Sequence, residues 1–237
     1  MIRSYLKKFV KDPFGFIKRA FYKIVLGPLK YGKKDGYDAT KYWNDRFSKY
    51  GYNLQGAGDE SKSVEENEEM YREAGAAFEK ILEEEKIDFS GIRVLEIGVG
   101  SAFYTEILNS KGVKNYTGID ITDVLFDQHK NKFPDYKFIK CDITEDNVEG
   151  EFDLIIMIDV SQHIVKKEKL ISALNTIKKC IGDKGIYLIA PLTSESRKHH
   201  FYVHSWSPEF VKKHFAGYEF RDLEEFRGNR GLIIRKN

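Results

Sequence analysis

The chain of 237 residues has only two cysteines, Cys141 and Cys180. Two thiols supply neither a disulfide framework nor a four-ligand zinc site, and no metal centre is expected. No run of eighteen apolar residues occurs, so no segment reads as a membrane-crossing helix. A secretory h-region is also missing, because Lys18, Arg19 and Lys23 interrupt each candidate near the N-terminus. With abundant lysine and no disulfide pattern, these absences predict a reducing, cytoplasmic setting.

Net charge is scarce too, at +2, but it is unevenly spread. Residues 1–34 hold ten Lys or Arg against one acid, Asp12, so that segment carries +9 and the rest of the chain −7. An acidic body binds nucleic acid poorly, since such affinity rests on neutralising phosphates, and no nucleic-acid partner is expected. Within the basic segment, Ile2, Tyr5, Leu6, Phe9 and Val10 follow helical spacing. After Asp12-Pro13, Phe14, Ile17, Phe21, Ile24 and Val25 do the same until Gly27-Pro28 ends the pattern. Two destinations fit: peripheral contact of residues 1–26 with the inner face of a membrane, or packing on the domain or a second subunit with the lysines solvated.

The informative stretch is residues 92–108, IRVLEIGVGSAFYTEIL. An apolar run from Ile92 to Ile97 reads as a buried parallel strand, followed by small residues at alternate positions, Gly98, Gly100 and Ala102, and then a helical pattern. Missing side chains and outward N–H groups let a ligand approach such a loop closely. Glu96 at the strand's end would repel a pyrophosphate and suits a ligand offering hydroxyls and an ammonium. A dinucleotide fingerprint, G-x-G-x-x-G, needs glycine where this chain has Phe103, which disfavours a nicotinamide-dependent oxidoreductase.

Further strands follow at regular intervals. YTGID ends in Asp120, twenty-two residues after Gly98, where a carboxylate can accept both ribose hydroxyls. YKFIK runs into Cys141, Asp142 and Ile143, and FDLIIMID into Asp159, Ser161, Gln162 and His163. Helices separate these strands, and GYEFRDLEEF and GLIIRKN pair as a hairpin near the C-terminus. Strands alternating with helices predict an α/β, doubly wound, mostly parallel sheet with helices on both faces and a ligand at the strands' carboxyl ends. The organisation reads as a basic amphipathic helical arm (1–34), cap or lid helices (35–90) and a ligand-binding core (91–237). In the cap, Ser63 and Glu66 form a capping box opening a long helix with Met70, Ala74, Ala77, Phe78, Ile81 and Leu82 as its apolar stripe. Residues 193–206, with His199, His200, Tyr202, His204 and Trp206, read as a polar loop facing a substrate.

The glycine spacing resembles motif I of the class I S-adenosylmethionine (SAM) methyltransferases, E/D-x-G-x-G-x-G, with Ala102 for the third glycine. The resemblance extends over all but the N-terminal arm and implies a seven-stranded sheet with SAM as cofactor. It implies that Glu96, Gly98, Gly100, Asp120, Ile121 and Asp159 contact the cofactor, that Asp142 takes its adenine amino group and that Ile143 packs on the ring. The KYWNDRFSKYG segment resembles the family's Y-W-D-x-x-Y cover over the cofactor, with Arg46 among its residues; an aromatic helix packed on the sheet fits the same residues. The stretch ending in His163 resembles motif IV of ubiquinone-type O-methyltransferases, which makes His163 the candidate general base. Neither the [DN]-P-P-[YF] motif of base-amine methylating enzymes nor the nucleophilic cysteine of cytosine C5 enzymes is present there. The resemblance implies O-methylation of a small molecule, glycan or lipid-linked acceptor. An N- or S-methyltransferase, or a non-catalytic SAM-binding module, are the alternatives.

Overall fold

The computed structural model describes residues 13–34 and 36–236. The helix expected over residues 2–10 lies outside the described residues. Seven strands form the central sheet: β3 (Arg93–Ile97), β4 (Asn115–Asp120), β5 (Lys137–Lys140), β6 (Phe152–Ile158), β7 (Ile181–Leu192), β10 (Glu219–Phe226) and β11 (Asn229–Arg235). Their order is β10-β11-β7-β6-β3-β4-β5, with β11 antiparallel to both neighbours and the pairs from β7 to β5 all parallel.

Buried on both faces, the central strands carry almost unbroken apolar sequence. Alternate residues feed two separate cores. Val94, Leu154, Ile156, Ile158 and Leu188 pack on one side under α5 (Val64–Glu84), α6 (Phe103–Ser110) and α7 (Phe126–Lys132). Leu95, Ile97, Ile155, Met157, Tyr187 and Ile189 pack on the other under α8 (Lys167–Cys180) and α9 (Pro208–Lys212).

The long helix α5 starts at the expected capping box: the Ser63 hydroxyl accepts from the Glu66 amide, and the Glu66 carboxylate accepts from the Ser63 amide. Its buried stripe is Asn67, Tyr71, Ala74, Gly75, Phe78, Ile81 and Leu82. Over its first turns this stripe is rotated by one residue from the one read in the sequence, placing Tyr71 inward instead of Met70.

Before α5, the chain forms α1 (Pro13–Phe21), a π-helical turn (Tyr22–Leu26), α2 (Gly27–Tyr31), a two-residue ladder of β1 (Gly32–Lys33) with β2 (Gly36–Tyr37), α3 (Ala39–Tyr50) and the short α4 (Leu54–Ala57). Gly27-Pro28 does not stop the helix as the sequence pattern suggested. The Gly27 amide bonds back to the Tyr22 carbonyl in the wider π register, and Pro28 falls in the first turn of α2, where its missing N–H is not needed. Residues 193–206 also depart from the expected loop: β8 (Arg197–His200) pairs with β9 (Val203–Ser205).

A third core, Tyr31, Tyr37, Tyr42 and Tyr202, with Tyr22, Trp43 and Phe201 against it, joins α2, β2, α3 and the β8–β9 hairpin. Gly27 is pressed on this cluster so closely that an added Cβ would sit 2.4 Å from Phe201. Among the described residues, the opposite side of the arm is uncovered. Phe14, Ile17, Phe21, Ile24, Leu26 and Leu29 are all exposed, Phe14 by 88% and Leu29 by 79%. Full burial of one such side chain is worth about 1.5–3 kcal/mol, which this arm forgoes in water.

Phe78 is fully buried between α5 and the sheet, in edge-to-face contact with Tyr104. Phe78→Ala is expected to lower unfolding free energy by about 3–5 kcal/mol, read as a shifted midpoint in chemical denaturation.

Candidate active site

The carboxyl ends of β3, β4, β5 and β6 meet around one cavity. Its walls include Gly98, Gly100, Asp120, Ile121, Asp142, Ile143, Asp159 and His163, with Trp43 and Phe47 of α3 closing it from above. Eight residues singled out in the sequence are therefore brought together.

The loop after β3 takes its shape from two left-handed glycines. At Gly98 (φ +79°) a Cβ would fall 2.2 Å from the Val160 side chain, so glycine is required both by conformation and by space. Gly100 (φ +52°) donates its amide to Asp120 Oδ2 at 3.0 Å, while the Thr122 amide donates to Oδ1 at 3.1 Å. Each oxygen keeps an accepting lone pair. Burial pushes the Asp120 carboxyl up to about 6 against these two amides. Ala102, standing where the resemblance has its third glycine, adopts the left-handed conformation at φ +58° and is fully buried. That geometry costs an L-residue roughly 1–2 kcal/mol.

Asp142 Oδ1 accepts from both the amide and the hydroxyl of Thr144, which aims the side chain at the tip of β5 beside the buried Ile143. At the end of β6, Asp159 has φ +60° and pairs with Arg227 from the β10–β11 turn. Among the described residues, Asp159 Oδ2, Arg227 Nε, Gln162 Oε1 and the Tyr104 hydroxyl are buried together without a well-formed hydrogen bond, although Gln162 and Tyr104 both stand near enough to Asp159 to stabilise its carboxylate. So many incompletely bonded polar groups at one place are expensive to maintain unless something polar completes them.

His163 sits on a 3₁₀ turn, Ser161–His163, that is held from outside. Trp206 Nε1 donates to the carbonyls of Ser161 and Ile164, both at 3.1 Å, and the Tyr37 hydroxyl donates to the His163 carbonyl at 3.2 Å. His163 Nδ1 lies 3.0 Å from the Tyr202 carbonyl. A carbonyl only accepts, so Nδ1 carries the proton and Nε2 presents its lone pair. Burial holds the ring down at about 4, so it is neutral near pH 7.

Beyond His163 a second cavity of about 920 Å³ extends outward, lined by Asp159, Gln162, His200, Tyr202, Arg227 and the inner side of the arm. His200 and Tyr202 thus reach a cavity. His199, His204 and Trp206 do not line either one: His199 Nε2 bonds Ser205 Oγ, His204 stacks on Trp206 at 3.9 Å, and Trp206 is buried beneath the His163 turn. Arg46 serves the cap. Its guanidinium donates to the carbonyls of Gly56 and Gly58 at 2.5 Å each and to the Tyr42 hydroxyl at 3.0 Å, holding the 51–62 segment closed over the site.

Glu96 departs most from its sequence reading. Alternation along β3 turns it to the α6 side with Val94, where Oε2 accepts from the Tyr116 hydroxyl at 2.7 Å and the Thr105 hydroxyl at 2.9 Å. It lines neither cavity. Arg227 and Tyr71, which do line the cavities, carried no sequence signal, since one falls in a turn and the other lies beside, not on, the apolar stripe read for the long helix.

Six parallel-running strands with one antiparallel insert, a glycine loop after the first and a carboxylate after the second define a class I methyltransferase, Rossmann-like fold. The family described as methyltransferase domain matches residues 67–236, and the chain belongs to it. No curated protein matches the chain in sequence. Among solved structures, magnesium protoporphyrin IX methyltransferase (ChlM) from Synechocystis PCC 6803 with bound SAM is similar at a TM-score of 0.63 and 15% identity, over 86% of this chain and 100% of that one. The DhpI–SAH complex follows at 0.59 and 14%, over 83% and 94%. CalS10, an amino pentose methyltransferase from Micromonospora echinaspora with SAM bound, stands at 0.57 and 11%, over 71% and 92%.

The buried Glu96 gives a pH test. Burial, opposed by its two hydroxyl donors, raises the carboxyl to about 7. A raised carboxyl adds stability below its ordinary value near 4.5, and that contribution is lost as pH rises through 7. Glu96→Gln, which keeps the acceptor oxygen without the charge, is expected to gain stability over wild type above pH 7, by about 2–4 °C in Tm per kcal/mol recovered, and to lose that advantage at pH 5. Thermal melts of both proteins across pH 5–9 read the difference.

Proposed function

We propose that the chain is a SAM-dependent methyltransferase that O-methylates a small molecule, a glycan or a lipid-linked intermediate, with His163 as the base. The observation that carries this reading is the His163 lone pair at the junction of two cavities, one framed by the glycine loop and Asp120, the other leading outward.

SAM fits the inner cavity by chemistry: Asp120 has lone pairs left for ribose hydroxyls, Asp142 and Ile143 suit an adenine edge and face, and unsatisfied Asp159 Oδ2 suits an ammonium. When bound, SAM supplies an electrophilic methyl group. The protein's part is then alignment and proton removal, and alignment alone can supply roughly 7–11 kcal/mol. The acceptor hydroxyl gives its proton to His163 Nε2, the Nδ1–H bond to Tyr202 supports the charge that develops on the ring, and Trp206 with Tyr37 keeps the turn from shifting. α3 with Trp43 and Phe47, and the segment tied down by Arg46, exclude water from the inner cavity. The exposed basic arm adds peripheral contact with a membrane surface to this reading.

A histidine near 4 is a weak base, and this favours a second reading, an N- or S-acceptor that His163 orients while bulk solvent takes any proton. The two differ in outcome. For O-methylation, His163→Ala is expected to lower kcat by about 10²-fold or more with SAM affinity near wild type. Turnover should stay flat from pH 9 down to about 5 and fall as His163 protonates. Full turnover in His163→Ala would remove the base.

Asp120→Ala is expected to weaken SAM binding at least tenfold, about the 1.4 kcal/mol that one lost hydrogen bond to a charged acceptor commands. Isothermal calorimetry with SAM measures it, and an unchanged affinity in the folded variant would take Asp120 out of the ribose site.

A further inference from the structure

The arm is an amphipathic helix mounted inside out. Lys18, Arg19, Tyr22 and Lys23 share one side of α1 and the π turn, and that side walls the outer cavity. The apolar row Phe14, Ile17, Phe21 and Ile24, continued by Leu29 of α2, points away from the domain into solvent. In a water-soluble helix the two sides would be exchanged. The arm is not loose, because Tyr31 and Gly27 fasten its C-terminal end to Phe201 and the tyrosine core. Tyr31 also donates to Asp45, which pairs with Lys30 at 2.7 Å. With the inner side fixed on the domain, the outer row cannot turn inward to find cover.

Six of the ten exposed large apolar side chains among the described residues belong to this one element. Exposed apolar rows of this kind mark a surface that meets an apolar medium. Charge separates the candidate occupants. A second copy of the arm would bring a second +9 to the same contact, whereas an anionic bilayer takes the apolar row and is attracted by the net charge of the segment behind it.

We propose that Phe14, Ile17, Phe21, Ile24 and Leu29 dock the protein on an anionic lipid bilayer, and that the methyl acceptor is an amphiphile of that surface, its polar head reaching His163 through the outer cavity. The acceptor half rests on the methyltransferase reading; the docking half does not. The cavity has a polar lining of both signs, with Lys18, Lys49 and Lys62 along its walls beside Asp59, Glu60 and Glu73, and the Asp159–Arg227 pair near His163, which suits a polar head. One helix therefore serves both ends of the acceptor, its outer row beside the hydrocarbon and its inner cations beside the head.

The test uses the full chain and a Phe14→Gln, Ile24→Gln, Leu29→Gln variant. These three side chains are at least 73% exposed, so the domain should fold and melt as wild type. The substitutions leave the charge unchanged. Wild type should sediment with phosphatidylcholine vesicles containing phosphatidylglycerol and not with phosphatidylcholine alone, and the variant should bind at least about tenfold more weakly, with salt weakening both. Methyl-labelled SAM incubated with wild type and a total lipid extract of the source cells should label the lipid phase, and the variant should lose most of that label.

Equal sedimentation of variant and wild type, or none with anionic vesicles, overturns the docking. So does a wild-type dimer that the variant splits, which would assign the row to a second copy. Label confined to the aqueous phase overturns the amphiphilic acceptor. Calorimetric SAM binding stands apart: its absence would strike the methyltransferase reading and leave vesicle binding untouched.

Discussion

The hydrogen bond from the Gly100 amide to the Asp120 carboxylate closes the tip of β3 onto the tip of β4, and most of the inner cavity depends on it. It joins the left-handed turn at Gly98 to a carboxylate that would otherwise be buried without sufficient partners. The turn in turn lets Val160 approach, and Val160 begins the segment that carries His163. A parallel sheet makes such a chain of contacts natural, because every strand releases its loop at the same edge. Side chains distant in sequence become neighbours with no element of their own to hold them together.

Residues placed by their position along a strand were legible in the sequence. Gly98, Gly100, Asp120 and Asp142 lie at strand ends marked by apolar runs, and the cavity gathers them. Glu96 was misplaced because the same period of two that made β3 recognisable also decides which face a residue takes, and at Glu96 that face is the α6 side. His199, His204 and Trp206 fall in a stretch whose composition reads as a polar loop, yet pairing of β8 with β9 gives them structural partners. Trp206 now supports the histidine turn instead of facing a substrate. Arg227 could not be found from spacing at all, since a turn between two antiparallel strands reaches Asp159 only once β10 and β11 have taken their places in the sheet.

The arm shows where periodicity is silent. Its amphipathic spacing was plain, but spacing gives two faces without saying which one the domain takes. That choice is set by Tyr31 and Gly27 at one end, through aromatic packing with Tyr42 and Phe201, residues 11 and 170 or more positions away. The π turn at Tyr22–Leu26 matters here, since one extra residue per turn lets Pro28 continue the helix and sets the rotation between α1 and the anchored α2.

The placement of β11 affects how the protein is made. Leu232, Ile233 and Ile234 are almost wholly buried between β7 and β10, so within this sheet an interior strand is made after both of its neighbours. Until then β7 holds an unpaired, strongly apolar edge, and β10 has nowhere to attach. The nascent chain must therefore be kept from pairing that edge with other chains while the residues between β7 and β11 are being made, although the glycine loop, Asp120 and His163 emerged before β7 itself.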